Sequence, residues 1–374
     1  MSRVTVKHVT TAADILEANK GVGPGFDALR LVLSVWIFTL HSMFVCIGLP
    51  AAAEFAANPI HRIFITPILP MFFGVSGYLV TGSAIRTKNV STFLLFRVFR
   101  IAPALIVEVT LSAIVLGPWL TETTLIEYFS DPTFFRYFLN IVGSVHFYLP
   151  GLFTHNPVPG IVNNNLWTLR PEFFCYIFIT IMIVSKVIFS RRYFAVVGLS
   201  IFCLTVAYML LKRSQFYSEL AVADWKILIL AFILGCAALH WNDRIVISTR
   251  NAVIAAFGAS VTLVYPPFIS LGLLGLTYLV VYIGTRKLYL PSFLRSGDYS
   301  YGVYLFGFPL QQTLVYFLPL EYRHEAIVLG LGLPLTLAFA MFSWHFVEKP
   351  ILKLKAKFKP SLSAVSEPAP HIAA

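Results

Sequence analysis

Apolar runs of roughly membrane-spanning length recur from residue 28 to residue 347 without a long polar interruption. This recurrence constrains the fold more than any other feature of the chain. Crossing about 30 Å of hydrocarbon takes about 20 consecutive apolar residues in a helix. Runs of that order lie at 28–49, 64–84, 101–118, 166–185, 193–211, 226–241, 252–265, 268–284, 300–318 and 326–347, with 252–265 notably short. Backbone polar groups inside a bilayer must be satisfied within the spanning segment. The pattern therefore predicts an all-α polytopic membrane bundle of about ten transmembrane helices. Composition agrees, with 58% hydrophobic and 12% charged residues, where a soluble domain is about a quarter charged. One membrane domain, 26–350, is expected between an N-terminal tail, 1–25, and a C-terminal tail, 351–374. The Pro-, Ser- and Ala-rich end of the second tail has a disordered composition. The first, with Asp14 and Glu17, lacks the basic-then-apolar plan of a cleaved signal peptide.

A net charge of +11 would suggest nucleic acid as a partner of a soluble protein, but the placement of the charges excludes it. Lys and Arg concentrate within 3–30, 86–100, 186–192, 244–250, 286–295 and 349–359. The intervening loops hold only Arg62, Arg136, Lys212, Arg213, Lys226 and Arg323, and Arg170 falls in a span. Cytoplasmic loops retain positive charge, so both termini are expected in the cytoplasm, with the lipid bilayer as partner and no nucleic acid. Segment 134–153 is apolar and aromatic but is broken by Asn140, Gly143, His146, Pro150 and Gly151. With 155–165 it is expected to form an extracytoplasmic excursion at the interface or re-entering the membrane. Cys46, Cys175, Cys203 and Cys236 lack the spacing of a metal site or disulfide framework and are read as core residues.

Charged groups inside spans are costly and tend to mark function. The first span carries Asp27, Arg30 and His41. Eleven residues make about three turns, which places Arg30 and His41 on one face about 16.5 Å apart. Asp27, one turn before Arg30, is positioned to pair with it. A histidine can take a proton from an acceptor hydroxyl, or can simply bond to a neighbouring helix. The span that opens at Asn163-Asn164-Asn165-Leu166-Trp167 carries Arg170 and Glu172. Glu172 falls about 9 Å below the outer boundary and His41 about 13–14 Å below it. At such similar depths Glu172 would orient His41, unless it merely neutralises Arg170. Arg97 and Arg100, beside Phe93, Phe96 and Phe99, have the spacing to grip phosphates, or are ordinary positive-inside charge.

Taken together, these pieces resemble the acyltransferase 3 family of membrane acyltransferases over Phe26 to about Pro350. The resemblance rests on Arg30 with His41, on Phe73-Gly74-Val75-Ser76-Gly77-Tyr78 and on Arg100-Ile101-Ala102-Pro103. It extends to Trp167 through Glu172, Ser300-Tyr301 through Leu305, and Glu348-Lys349-Pro350. Where the family often carries a histidine after the Ser-Tyr element, this chain reads Phe306-Gly307-Phe308-Pro309. The resemblance implies a ten-helix bundle in the plasma membrane, of bacterial inner-membrane type. It also implies a cytoplasmic acyl-coenzyme A donor, acetyl above all, with no tightly bound cofactor and no metal. The acceptor would be a hydroxyl of an exported carbohydrate or glycolipid. His41, Arg30 and Glu172 would be catalytic, Arg97 and Arg100 would hold the donor, and Asp27, Ser76, Trp167, Tyr301 and Glu348 would support them. His41 would either activate the acceptor or carry the acyl group covalently. The rival is a transporter or flippase in which Asp27, Arg30, His41 and Glu172 form a proton relay. No internal pairing of broken helices favours it.

Overall fold

The computed structural model describes residues 10–19, 21, 23–211, 220–265 and 268–354. Residues 355–374, most of the C-terminal tail, lie outside the described residues, as do 1–9 and Lys212 and Arg213. Among the described residues the protein is helical, with two isolated β-bridges and no strands.

The N-terminal segment opens with α1, Ala12–Ala18, whose first turn is closed reciprocally by Thr11 and Asp14. It docks on the loop around residues 245–247 through Ala12 N–H to Ile245 O and Ile247 N–H to Thr10 O. Helix α2 runs Phe26–Ala57 but is broken at Gly48, whose φ of 81° a side chain rarely adopts. The stretch that carries Arg30 and His41 precedes the break. After α3 (Pro59–Ile65), α4 (Ile68–Thr87) turns through Lys88 and Asn89 into α5, Val90–Leu111. That helix continues by a widened turn, Ser112–Leu116, into α6, Gly117–Leu120.

The excursion expected at 134–153 has no long helix. After α7 (Leu125–Ser130) it consists of the end of α8 (Pro132–Tyr137) and a single tight turn, Phe138–Val142, before irregular chain. The chain re-enters regular structure through a tight turn at Asn164–Thr168 and continues as α9, Leu169–Val184. There follow α10 (Arg191–Leu211), α11 (Trp225–His240), α12 (Thr249–Val264), α13 (Ile269–Gly284) and α14 (Ser300–Phe317). Last come α15 (Glu325–Ser343), a widened turn Trp344–Glu348 and α16, Lys349–Lys353.

Each of the ten apolar runs is thus helical. Six helical segments are long and apolar enough to cross a membrane by length and composition: Phe26–Ala57, Pro59–Thr87, Val90–Leu120, Asn164–Val184, Arg191–Leu211 and Glu325–Lys353. At 16 residues each, α11, α12 and α13 reach only about 24 Å. Helix α10 turns Tyr193, Val196, Leu199 and Leu204 outward at 63–70% exposure, as a lipid-facing helix does. In a bilayer such residues cost nothing, and tight packing falls to small residues that let backbones approach.

That approach is closest between α4 and α11. A Cβ at Gly77 would overlap the Phe232 carbonyl oxygen, and one at Gly235 would overlap that of Gly74. The opposing atoms are backbone and cannot swing aside. Gly235→Ala is therefore expected to destabilise the bundle by roughly 1–3 kcal/mol, the cost of overpacking a core, read as a lower unfolding temperature in detergent.

Candidate active site

The site begins where α2 does. Gly25 N–H donates to Gly284 O at 2.9 Å, and a Cβ at Gly25 would overlap the carbonyl oxygens of Ile283 and Arg286. Only glycine lets the chain pass the end of α13 this closely, and the pass sets where the first turns of α2 enter the bundle. Arg30, just inside, meets a carboxylate that the sequence did not single out, Asp298. Its Nη1 lies 2.5 Å from Asp298 Oδ2, and Arg100 Nη2 reaches the same oxygen at 2.5 Å. Ser300 Oγ donates to Oδ1 at 2.6 Å. Gly297 permits this loop: a Cβ there would run into the Trp344 ring.

Arg100 also lies 3.8 Å from Glu348 Oε2. The widened turn Trp344–Glu348 swings that carboxylate inward, where it is 1% exposed; such local widening is frequent at functional sites. The Tyr301 and Trp344 rings flank the Arg100 guanidinium at 5.9 and 6.0 Å. Three helix starts or ends and the middle of α5 are thereby tied into one cluster. Asp27 makes no ion pair within it. Arg30 takes Asp298 as its partner, and Asp27 stays exposed with no ion pair among the described residues.

Beyond the cluster lies a cavity of about 150 Å³. Arg30, Arg97 and Arg100 lie toward one end, Glu172 and Ser76 along its walls, and Tyr301 beside Arg100. On α9 the lining residues Leu169, Glu172, Cys175 and Tyr176 recur at helical spacing, and Tyr176 Oη donates to Glu172 Oε1 at 2.5 Å. Arg170 lies on the exposed side of the same helix with no ion pair among the described residues, so Glu172 does not neutralise it. Arg97 makes no ion pair with a carboxylate among the described residues. Its Nη2 sits 3.4 Å from Ser83 Oγ and its guanidinium 5.7 Å from the Phe93 ring. The two arginines therefore differ: Arg100 is held by carboxylates and Arg97 is not.

His41 is not among the residues that line this cavity. It is buried, 8% exposed, with the Phe308 ring edge-on at 5.2 Å and Phe44 at 6.4 Å. No hydrogen bond or ion pair joins it to Glu172 among the described residues. On α14 the cavity lining ends at Leu305, and Phe308 is three residues further on, so His41 sits about one turn past the cavity. Gly307 gains a packing role here: a Cβ would come within 2.8 Å of the Phe38 ring, so the glycine lets α14 approach α2 just before His41. Gln311 then ties the same pair, donating to Phe38 O and Ser42 Oγ at 2.7 Å each. Trp167 is half-buried against the main core and does not line the cavity.

Sequence reasoning also missed Tyr176, Tyr304, Asn165 and Thr168, all cavity residues. Asp298 had a usable signal. The chain has only 17 acidic residues, and one placed just before an apolar span invites a search for its cation.

A domain model described as an acyltransferase domain matches residues 24–345. The chain belongs to the acyltransferase 3 family. An O-acetyl transferase of Shigella phage Sf6 is 26% identical to this acyltransferase over 333 residues, covering 87% of this chain and 95% of the relative. Nodulation protein 10 of Rhizobium leguminosarum bv. viciae is 25% identical over 372 residues, covering 91% and 96%. No solved structure matches significantly. The protein is thus a multi-pass membrane enzyme that transfers acyl groups, and its cavity and arginine cluster lie within the matched domain, apart from Glu348 just beyond it.

Proposed function

We propose that this acyltransferase moves an acetyl group from cytoplasmic acetyl-coenzyme A to a hydroxyl of an exported carbohydrate, such as an exopolysaccharide, lipopolysaccharide or lipo-oligosaccharide. The observation that carries the reading is the cavity, which joins a guanidinium-rich end to an apolar chamber. Acyl-coenzyme A has the same polarity, phosphates at one end and an acyl group at the other. The O-acetyl transferase relative supports acetyl as cargo and a hydroxyl as acceptor.

In this reading ten helices cross the membrane of a bacterial inner-membrane protein, with both ends in the cytoplasm. The basic loops support that orientation, and Arg97 at the arginine end of the cavity reaches Ser83, in the last turns of α4 before the Lys88–Asn89 turn. Arg97, which makes no ion pair among the described residues, takes the donor's phosphates, and Arg100, flanked by Asp298 and Glu348, keeps the entrance in shape. His41, past the cavity, takes the acceptor's proton. The thioester C–S bond breaks, an ester C–O bond forms, and the proton passes to the departing thiolate. In the covalent variant the imidazole first accepts the acyl group itself.

Mass spectrometry of surface and secreted glycans, with and without the protein, tests this. An acetyl-sized mass that depends on the protein supports it. Glycans unchanged in mass but altered in location would favour a transporter instead. Arg97→Gln is expected to raise the KM for acetyl-coenzyme A about 10–100-fold while changing kcat less, because a hydrogen bond to a charged group is worth roughly 1.5–3 kcal/mol. Steady-state thiol release from the donor measures both constants.

A further inference from the structure

The turn of α2 that carries His41 is gripped by α14. Phe38, His41, Ser42 and Val45 are all buried, and their helical spacing places them on one face of α2. Gly307, Phe308, Gln311 and Val315, buried as well, share the facing side of α14. A Cβ at Gly307 would come within 2.8 Å of the Phe38 ring, Phe308 meets the His41 ring edge-on at 5.2 Å, and Val45 joins Phe308 and Val315 in one apolar cluster. Gln311 supplies the polar link. Its Nε2 donates to Phe38 O and to Ser42 Oγ at 2.7 Å each, so one carboxamide holds α2 at positions on either side of His41. Ser42 Oγ donates in turn to Phe38 O at 3.1 Å, which closes a triangle of hydrogen bonds. A backbone carbonyl only accepts, so the nitrogen of Gln311 and not its oxygen faces α2.

We propose that Gln311 is a positioning residue for the transfer: it fixes the register of the His41 turn of α2 on α14, and with it the direction in which the imidazole meets the acceptor hydroxyl. This rests on the reading that His41 takes the acceptor's proton. Among the described residues no hydrogen bond or ion pair orients the His41 ring, whose ring neighbours are Phe44 and Phe308. Its direction therefore follows from where the backbone of α2 is held. A general base must come within about 2.6–3.2 Å of the proton it takes, and a misplacement of about 1 Å costs about 10²-fold in rate. The carboxamide is also costly where it stands. Gln311 is 0% exposed, and its Oε1 has no partner among the described residues, a condition that lowers stability. A leucine or methionine would fill a similar volume without stranding an oxygen. What the carboxamide adds is a fixed register between two helices, the best-attested use of a lone buried polar group. The next residue shows the contrast. Gln312, equally buried, donates to Val158 O and Ile161 O at 2.7 Å and accepts from Asn156 at 3.0 Å, so it holds a loop and not the His41 turn.

The test uses inverted membrane vesicles from cells making the full chain, with their own acceptors present and labelled acetyl-coenzyme A supplied, at matched abundance of each variant. Gln311→Leu is expected to lower kcat about 10–100-fold while changing the KM for the donor by less than about 3-fold. Ser42→Ala removes one of the two bonds, should lower kcat by less, and serves if the leucine variant does not accumulate. Gln312→Leu breaks buried hydrogen bonds in the same turn of α14 and is expected to lower the unfolding temperature while leaving kcat within about 3-fold. The deciding measurement is Gln311→Leu in the His41→Gln background. With no imidazole left to position, it should lower the residual kcat by less than about 3-fold, whereas a purely structural role would carry its full loss into that background. An equal loss in both backgrounds, an unchanged kcat in Gln311→Leu, or an equal loss in Gln312→Leu overturns the positioning role and leaves the role of His41 standing. Normal transfer by His41→Gln alone overturns the reading of His41, and the positioning role falls with it.

Discussion

Asp298→Asn is expected to cost this acyltransferase nearly all activity and roughly 3–5 kcal/mol of stability, more than any other single change near the cavity. Arg30 and Arg100 both bind Oδ2 of this one carboxylate. Removing its charge leaves Arg30, 20% exposed, without its ion pair and Arg100, 16% exposed, with Glu348 alone at 3.8 Å, and uncompensated buried charge carries a cost of that order. The partial exposure pulls the figure toward the lower end. Unfolding temperature in detergent, alongside acyl transfer, measures both effects. The charge argument has a sharper consequence. Arg30→Met added to Asp298→Asn should recover part of the lost stability, because the second change removes one of the stranded cations. A double variant as unstable as the sum of the single ones would show that the ion pairs do not govern this corner of the fold.

The pH dependence of the same group follows from its surroundings. Burial pushes the Asp298 carboxyl up, but the guanidiniums of Arg100 and Arg30 and the hydrogen bond from Ser300 outweigh it and hold the carboxyl well below the usual range. A group whose folded pKa is depressed contributes stability that is fully present above its unfolded value, about 3.9, and loses it as pH falls toward the folded value. Detergent-solubilised protein should therefore keep the contribution of this cluster from neutral pH down to about pH 5.

The second large effect is catalytic. His41→Ala, and equally His41→Gln, is expected to lower kcat by about 10²- to 10⁴-fold, the range a positioned general base supplies. Donor binding should change little, because His41 does not line the cavity that contains Arg97 and Arg100. Its ring neighbours are Phe44 and Phe308, so the glutamine variant should keep most of the packing and isolate the loss of imidazole chemistry. Labelled acyl transfer at matched membrane abundance, with donor binding measured in parallel, separates the two. Normal transfer by His41→Gln would remove the histidine from the reaction.

Much of the fold was legible in the chain because membrane helices are specified locally. A helix that must satisfy its own hydrogen bonds in hydrocarbon declares itself by composition, and each of the ten apolar runs is helical, even 252–265. The break at residues 134–153 was legible for the same reason, since Gly143, Pro150 and the polar residues there deny it a continuous helix. Helix length was less so: α11, α12 and α13 are shorter than about 20 residues, because a run's apolar extent does not say where a cap such as Asp224 or Ser248 will begin it.

The candidate site divides similarly. Motif residues Arg30, Ser76, Arg100, Glu172 and Tyr301 do converge, since helical spacing determines which side chains share a face. Which faces meet is not written in any one helix. Spacing along α2 offered Asp27 to Arg30, yet the partner is Asp298, 268 positions away in the chain. Depth alone offered Glu172 to His41, but a rotation about the axis of α9 sends Glu172 into the cavity with Tyr176, while His41 packs against Phe308. Depth and spacing are properties of one helix in a bilayer and follow from sequence. Rotation, and the pairing of charges between helices, depend on how closely backbones approach at Gly25, Gly77, Gly235 and Gly307, and only the packed bundle decides that.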